Sequence, residues 1–524
     1  MKPILFPLLL LGTCAYFSLA ARADGTNQPV ILNAGEKPRE PAGEEARRLN
    51  VLFLISDDLN NNLGCYGDPL AKTPNIDKLA ARGVRFERAY CTYPLCGPSR
   101  NSFLTGLYPN SSGILGNAQI FRQTIPKHTS LPQAFRHDGY LATRIGKLYH
   151  FDVPASIGTS GHDDPASWEV EINPIGVDRL DEKPLIFSLV PNQYGATLSW
   201  LASPSPDARH TDGKLAAEAG WMLERSARPD EPPFFLAVGF FRPHTPYVAP
   251  KPYFDLYPIE KMPVVTNAAG DQADIPAPAL TMLRKEETEM SDDLRRQAVQ
   301  AYYASTSFVD AQVGRVIDEL DRLGLTDNTV IVFTSDHGYL LGEHGLWQKN
   351  SLFEASSRVP LLIVAPGISK PGSVVKTPVS LLDLYPTLLE LAGVKGPDNL
   401  QGQSLVPMLK DPSAAGRGWA LTQVRHNEKV PGGGDEIIRY FGYSLRTPRW
   451  RYTEWDQGKR GRELYDHDAD PKEFTNLADK SEFATTVTDL SQQLREAVKS
   501  TFPPDGQTPE LPTGNKLWAP VIGK

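Results

Sequence analysis

Four short runs of uninterrupted apolar residues constrain this chain most: VLFLIS at 51–56, FFLAVG at 234–239, VIVFTS at 330–335 and LLIVA at 361–365. Runs of this kind, without polar alternation, suit strands buried on both faces of a sheet, as in parallel α/β proteins. Between them lie helical patterns over 75–82, 211–225, 293–323 and 379–392. Strands alternating with helices predict an α/β fold, a large mixed and mostly parallel sheet sandwiched by helices. With 524 residues, 40% of them hydrophobic and 22% charged, the chain can bury the core such a fold requires, and global disorder is excluded.

After about residue 410 the character changes. Segments 420–425, 440–446 and 449–455 read as short strands, Thr447-Pro448 turns between the last two, and 482–499 reads as a closing helix. The expected organisation is a large domain at 49–410 and a smaller C-terminal domain at 411–524 with an antiparallel sheet. Lys+Arg total 54 against 62 Asp+Glu, a formal charge of −8. An acidic balance excludes the nucleic-acid wrappers, which are basic.

At the N-terminus, Met1-Lys2, an apolar run over 3–11 and the ending Ala21-Arg22-Ala23 describe a secretory signal peptide at 1–23. The apolar run is shorter than the roughly 20 residues a membrane span needs. No later segment is long and apolar enough to span, so an exported protein without stable membrane insertion is expected, periplasmic or secreted. Residues 24–48 are polar and rich in Gly, Pro and Glu, and read as a flexible leader. Cys14 leaves with the signal peptide. Cys65, Cys91 and Cys96 remain, too few for a disulfide scaffold, and an odd count leaves at least one thiol unpaired or chemically committed.

In open α/β sheets, ligands bind beyond the carboxyl ends of the strands. The run at 51–56 leads straight into Asp57-Asp58, and that at 330–335 into Asp336-His337. The run at 234–239 is followed within a few residues by Arg242-Pro243-His244. Adjacent aspartates at a strand end are costly unless something positive neutralises them. A hard divalent cation such as Ca²⁺ or Mg²⁺ would do so. Another cluster is Cys96-Gly97-Pro98-Ser99-Arg100. Pro98 suits the first position of a helix, which would put Cys96 just ahead of a helix N-terminus, where partial positive charge gathers. On residues alone, Cys96 is open between a buried thiol and a low-pKa nucleophile.

The segment from Cys96 to Gly106 fits C-x-P-S-R-x-x-x-L-T-G in full and resembles the signature of the sulfatase family, in the alkaline-phosphatase superfamily. Further stretches resemble the family: Asn50 to Asp58, Gly64-Cys65-Tyr66-Gly67, Thr73-Pro74-Asn75-Ile76-Asp77, Gly146-Lys147-Leu148-Tyr149-His150, Arg242-Pro243-His244-Thr245-Pro246, Thr334 to Gly338, and Gly342-Glu343-His344-Gly345. Within the family the chain looks most like the iduronate-2-sulfatase branch, over roughly 48–475. It departs at Tyr339, where that branch carries Trp at a position neighbouring substrate.

The resemblance implies a sulfuric ester hydrolase acting on sulfated carbohydrate, with 49–410 as the catalytic domain and lysosomal placement if the host is animal. Cys96 would be oxidised to formylglycine by a formylglycine-generating enzyme. Asp57, Asp58, Asp336 and His337, with one oxygen of the modified Cys96, would hold one Ca²⁺. Arg100 would hold the aldehyde hydrate, while Lys147, Lys349 and His244 would contact sulfate oxygens. His244 or Lys349 would protonate the leaving sugar oxygen, leaving a covalent sulfate hemiacetal, and His150 would take a proton from the second hydroxyl to expel sulfate. The alternative is a phosphodiester or phosphonate monoester hydrolase of the same superfamily, some of which share C-x-P-x-R.

Other residues carry weaker signals. His128, His137 and His210 read as structural, and His344 as a brace for the metal loop. Cys65 and Cys91 read as small buried residues. Asn110-Ser111-Ser112 is a glycosylation sequon. Arg425, Arg446, Arg449, Arg451, Lys459, Arg460 and Arg462 crowd the second domain and are expected to give either a basic rim for an anionic sugar or a solvated strand face.

Overall fold

A computed structural model describes residues 48–265, 270–429 and 437–505. The expected signal peptide, the leader up to residue 47 and the last part of the C-terminal segment lie outside the described residues. The apolar runs form strands β1 (Asn50–Asp57), β5 (Phe234–Pro243), β6 (Thr329–Ser335) and β7 (Arg358–Val364). They join β2 (Val84–Tyr90), β3 (Leu141–Gly146), β4 (Val170–Ile172) and β8 (Ser373–Val375) in the order β8-β2-β7-β6-β1-β5-β3-β4. Every pair is parallel except those made by β7, which runs antiparallel to β2 and β6.

Both faces of this sheet are dry. Along β1, Val51, Phe53 and Ile55 enter one apolar cluster while Leu52 and Leu54 enter another. The first cluster holds Phe103 and Leu104 of helix α2 (Cys96–Thr105) and Leu384 and Leu388 of α5 (Leu384–Ala392). The second holds residues of α1 (Pro74–Arg82), α3 (Thr211–Ser226) and α4 (Asp292–Arg322). Each such Leu, Ile or Phe taken from water contributes about 1.5–3 kcal/mol, which fixes the register and therefore where each strand ends.

The C-terminal strands β9 (Ala420–Lys429), β10 (Ile437–Arg446), β11 (Trp450–Trp455) and β12 (Arg462–Asp466) form an antiparallel meander in that order. Leu421, Leu445, Tyr452 and Leu464 pack against α6 (Ala484–Lys499). Val424, Trp455 and Tyr465 face the other way, onto Leu346, Leu352 and Phe353. The α/β architecture with a smaller antiparallel element and closing helix is therefore as expected.

Three expectations about elements are corrected. The helix expected over 379–392 starts late, because Val379–Ser380 pairs with β2 and a short 3₁₀ turn intervenes before α5. Cys96 is itself the first residue of α2, with Leu95 as its N-cap, and Pro98 sits two positions further in. Proline is tolerated there because the first turn's N–H groups have no helical partner to lose. Strands β2, β3, β4, β8 and β12 went unread: β3, for one, carries Thr143 and Arg144, and buried Arg144 is neutralised by Asp163 at 2.6 Å, so a polar residue breaks the apolar run without breaking the strand.

Candidate active site

Strands β3, β5, β1 and β6 are consecutive neighbours, so their carboxyl ends deliver side chains to one edge. From β1 come Asp57 and Asp58, from beyond β6 Asp336 and His337, from beyond β5 His244, and from beyond β3 Lys147. The last placement depends on Gly239: a Cβ there would lie 1.9 Å from the Lys147 carbonyl oxygen, so no other residue lets the chain after β3 come this close. Asp58 takes φ +66, a left-handed turn that swings its carboxylate toward α2. Its backbone N–H donates to Asp336 Oδ1 at 3.1 Å, and its carbonyl accepts from the Tyr302 hydroxyl at 2.8 Å.

Helix α2 brings Cys96 to this edge. Its Sγ lies 3.3 Å from His337 Nε2, 3.2 Å from Lys349 Nζ and 3.8 Å from Asp58 Oδ1. The helix start is held from outside the motif, where Gly97 N–H donates to Asn117 Oδ1 at 2.8 Å. One turn along, Arg100 is fully buried and spreads its fork. Nε donates to Asp336 Oδ2 and one terminal nitrogen to Asp57 Oδ1, both at 2.9 Å. The other donates to the carbonyls of Lys147 and Leu148. Lys147 Nζ meets Asp57 Oδ2 at 2.6 Å, and Lys349 Nζ meets both oxygens of Asp58 at 2.6 and 2.9 Å.

Electrostatics follow from this packing. Against the cost of burial, Lys349, Lys147 and His337 hold the Cys96 thiol well below its ordinary value. Burial raises the Asp57 carboxyl, but Lys147, His244 and Arg100 together more than reverse it, leaving it below the usual carboxylate range. Asp336 goes the other way: burial outweighs Arg100 and His337 and pushes it up to about 6. His337, despite burial, is raised to about 9, chiefly by Asp336.

Donor atoms of Asp58, Cys96, Asp336 and His337 all lie within 4.8 Å of one another, and Asp57, Asp58 and His244 form a second such set. Ligands at 2.3–2.6 Å from a calcium-sized ion span up to about 5 Å across it, and carboxylates are the hard donors such an ion prefers. The residues thus fit a hard divalent cation. Asp57 sits at the margin of that set, with its oxygens taken by Lys147 and Arg100.

Above Cys96 opens a cavity of about 590 Å³ lined by Asn117, His150, His244 and Lys349 on its inner side. Arg179, Lys183 and Arg284 also line it, so four cations face a single carboxylate, Asp152. His244 directs Nδ1 to the Thr245 carbonyl at 2.7 Å and carries Nε2 3.8 Å from Asp58. His150 lies 3.3 Å from Asp152 Oδ1 and packs edge-on against buried His162. All ten residues singled out from sequence, Asp57, Asp58, Cys96, Arg100, Lys147, His150, His244, Asp336, His337 and Lys349, therefore meet around one position. Asn117, His162, Arg179, Lys183, Tyr194 and Arg284 were missed: they sit in long connections with no periodicity or motif to flag them.

The weaker signals resolve differently. His344 pairs with Asp271 at 3.1 Å and stacks on Phe353. Cys65 and Cys91, read as small buried residues, are both free thiols; Cys91 is buried as expected and Cys65 partly so. Asn110 is buried, its amide nitrogen committed to Thr501 and Tyr443, which closes the sequon to a glycan in the folded chain. Tyr339 is fully buried against Tyr302 and bonded to Tyr247, and does not line the cavity. The basic rim expected from the second domain is largely spent on ion pairs: Arg446 and Arg451 with Glu354, Arg449 with Asp466, Arg460 with Glu428.

Comparison with known proteins agrees with this geometry. The sulfatase family model matches residues 49–394, and a model described as N-sulphoglucosamine sulphohydrolase, C-terminal, matches 342–500. A sulfatase of Formosa agariphila is 33% identical, the alignment covering 95% of this chain and 92% of the relative. Iduronate 2-sulfatase of Mus musculus is 30% identical over 83% of this chain and 91% of its own. Among solved structures, a phosphonate monoester hydrolase of Agrobacterium radiobacter superposes with a TM-score of 0.72 at 24% identity, covering 89% of this chain and all of the other. A 2-O GAG sulfatase does so at 0.65 and 24%, covering 87% and 92%. The chain belongs to the sulfatase family and is a sulfuric ester hydrolase.

Proposed function

We propose that this hydrolase removes sulfate from an anionic, sulfated carbohydrate, in the manner of an iduronate-2-sulfatase-like enzyme, with Cys96 matured to formylglycine and Ca²⁺ at the acidic strand ends. The observation that carries this reading is the placement of Cys96, flanked by Asp58, His337 and Lys349, directly behind Lys349 of a cavity whose lining holds four cations and one carboxylate. Relatives named for carbohydrate sulfates, among them an N-acetylglucosamine-6-O-sulfatase of Bacteroides thetaiotaomicron at 29% identity over 88% of each chain, support it.

Asp57, Asp58, Asp336, His337 and position 96 are the residues that would hold the ion, which when bound supplies charge neutralisation and lowers the pKa of an attached hydroxyl. A matured position 96 supplies an unhindered hydroxyl nucleophile in place of the thiol. The remaining work falls to the chain's own side chains. Arg100, clamped between Asp57 and Asp336, fixes the start of α2 against the strand ends. Lys147 and Lys349 present preorganised positive charge where sulfate oxygens gather negative charge, in a site that excludes most water. His244, anchored through Nδ1, offers Nε2 to the cavity and is placed to protonate the leaving sugar oxygen. His150, braced by Asp152, is placed to accept a proton beside position 96. The cations Arg179, Lys183 and Arg284 favour a sugar carrying a second anionic group.

Maturation requires a formylglycine-generating enzyme as partner, residues 1–23 would direct export to the periplasm or outside, and 49–410 with 411–524 would be the catalytic and closing domains. No helix among the described residues is long and apolar enough to cross a membrane. The test compares kcat/KM on an aryl sulfate, a sulfated uronate disaccharide, an aryl phosphonate and a phosphate diester, using protein co-expressed with the maturing enzyme. The expected outcome is preference for the sulfated disaccharide, loss of turnover in a chelator and recovery on adding Ca²⁺. Preference for the phosphonate or the diester would replace this reading with the phosphohydrolase one.

A further inference from the structure

A second cavity, of about 780 Å³, lies between β10 and the end of α6 and is lined by none of the reacting residues. Strand alternation puts Arg439, Phe441 and Tyr443 on one face of β10, and this face looks into the cavity. The rings of Phe441 and Tyr443 stack with centroids 5.7 Å apart and planes 19° apart, giving a half-exposed apolar strip about the width of a pyranose ring. Around it stand Arg439, Lys459 and Lys499, all exposed and without an ion-pair partner among the described residues. The two carboxylates that also line the cavity, Glu454 and Asp456, are paired with Arg495 and Arg460, so three unspent cations beside stacked aromatic rings set this surface apart.

Its position adds the second argument. Leu115 lines this cavity, and Asn117, two residues on, lines the cavity above Cys96, a separation of about 7 Å of backbone. The ridge between them is bare Gly116, and the guanidinium of Arg425 lies 3.9 Å from where a Gly116 Cβ would be. Arg425 likewise makes no ion pair among the described residues. A cation thus stands on the ridge between two basic cavities in a protein of net charge −8.

We propose that the β10–α6 cavity is a distal subsite for a sulfated oligosaccharide whose end is held at Cys96, with the Phe441–Tyr443 strip under a sugar ring and Lys459, Lys499 and Arg439 on its sulfates. This rests on the sulfated-carbohydrate reading and narrows it to chains longer than a disaccharide. The experiment measures binding, so that it is separate from turnover. Full-length Cys96→Ala protein is titrated calorimetrically with heparin-derived disaccharide, heparin-derived octasaccharide and neutral maltooctaose. The octasaccharide is expected to bind about tenfold or more tightly than the disaccharide, the gain expected of a few added charge contacts. In the double variant Lys459→Ala/Lys499→Ala, both positions being exposed and neutral to folding, that length preference should collapse to within about twofold, with disaccharide affinity retained. Phe441→Ala should weaken the octasaccharide alone. Equal affinity for the two lengths, a preference that survives the double variant, or maltooctaose binding as tightly as the octasaccharide would each overturn the subsite. Failure of the sulfatase reading would show instead as no sulfate released by matured wild-type protein, whatever these affinities are.

Discussion

Arg100 shows how one side chain ties chemistry to stability. It is fully buried, and it is the group that meets both Asp57 and Asp336. Removing one partner of a buried ion network leaves charge uncompensated, which costs about 3–5 kcal/mol. Arg100→Ala is therefore expected to lower the urea midpoint by that equivalent, measured by circular dichroism, as well as to abolish turnover. Lys349 differs, being 13% exposed at the mouth of the site. Lys349→Ala should cost less stability than Arg100→Ala, since His337 and His244 remain beside Asp58, and lose about 10²–10³ in kcat/KM, the scale of one preorganised electrostatic contact. Equal stability losses in the two variants would contradict this division. At this scale the sequence was most informative: Asp57, Asp58, Asp336, His337 and His244 follow from strand ends, Cys96 and Arg100 from the signature, and Lys147, His150 and Lys349 only from the further stretches that resemble the family. It was silent on Asn117 and Arg284, whose positions depend on how long connections fold back across the sheet edge.

Elements were legible in proportion to their dryness. Strands β1, β5, β6 and β7 are buried on both faces and read as unbroken apolar runs, whereas β3 and β12 hide charged residues that tertiary partners neutralise. Glu463 on β12 is such a case: it is buried and accepts from Trp455 Nε1 at 2.7 Å and the Tyr465 hydroxyl at 3.0 Å. Burial pushes its pKa from 4.5 up to about 7. Folded protein then holds this proton up to about pH 7, while unfolded protein releases it near 4.5. More protons are bound by the native state across that window, so stability from this group is present below 4.5 and falls as pH rises to 7. Glu463→Gln should remove that fall, seen as a smaller drop in the urea midpoint between pH 5 and pH 8 than in wild type. An unchanged drop would show that Glu463 is not its source.

At the scale of the molecule, the antiparallel sheet is locked onto the loop that carries Lys349. Buried Arg451 donates to Glu473 at 2.6 Å, to the Leu352 carbonyl at 2.9 Å and to Glu354, while the Glu354 backbone N–H donates to Glu473. Arg446 and His467 complete this buried network. The sequence placed these arginines together but gave no sign that their charges turn inward, since acids more than 90 residues away in the case of Glu354 neutralise them. Arg451→Ala is expected to lower Tm, measured by calorimetry, and to reduce kcat by loosening the Lys349 loop; an unchanged Tm would contradict this role of the network.

The reaction itself is tested most directly by ion chromatography of inorganic sulfate. Protein matured with a formylglycine-generating enzyme, and verified by peptide mass to carry an aldehyde at position 96, is incubated with a panel of sulfated saccharides beside its Cys96→Ala counterpart. Free sulfate from at least one saccharide with the matured chain, and none with the variant, is the expected result. Verified aldehyde with no sulfate from any saccharide, or equal release by Cys96→Ala, would contradict it.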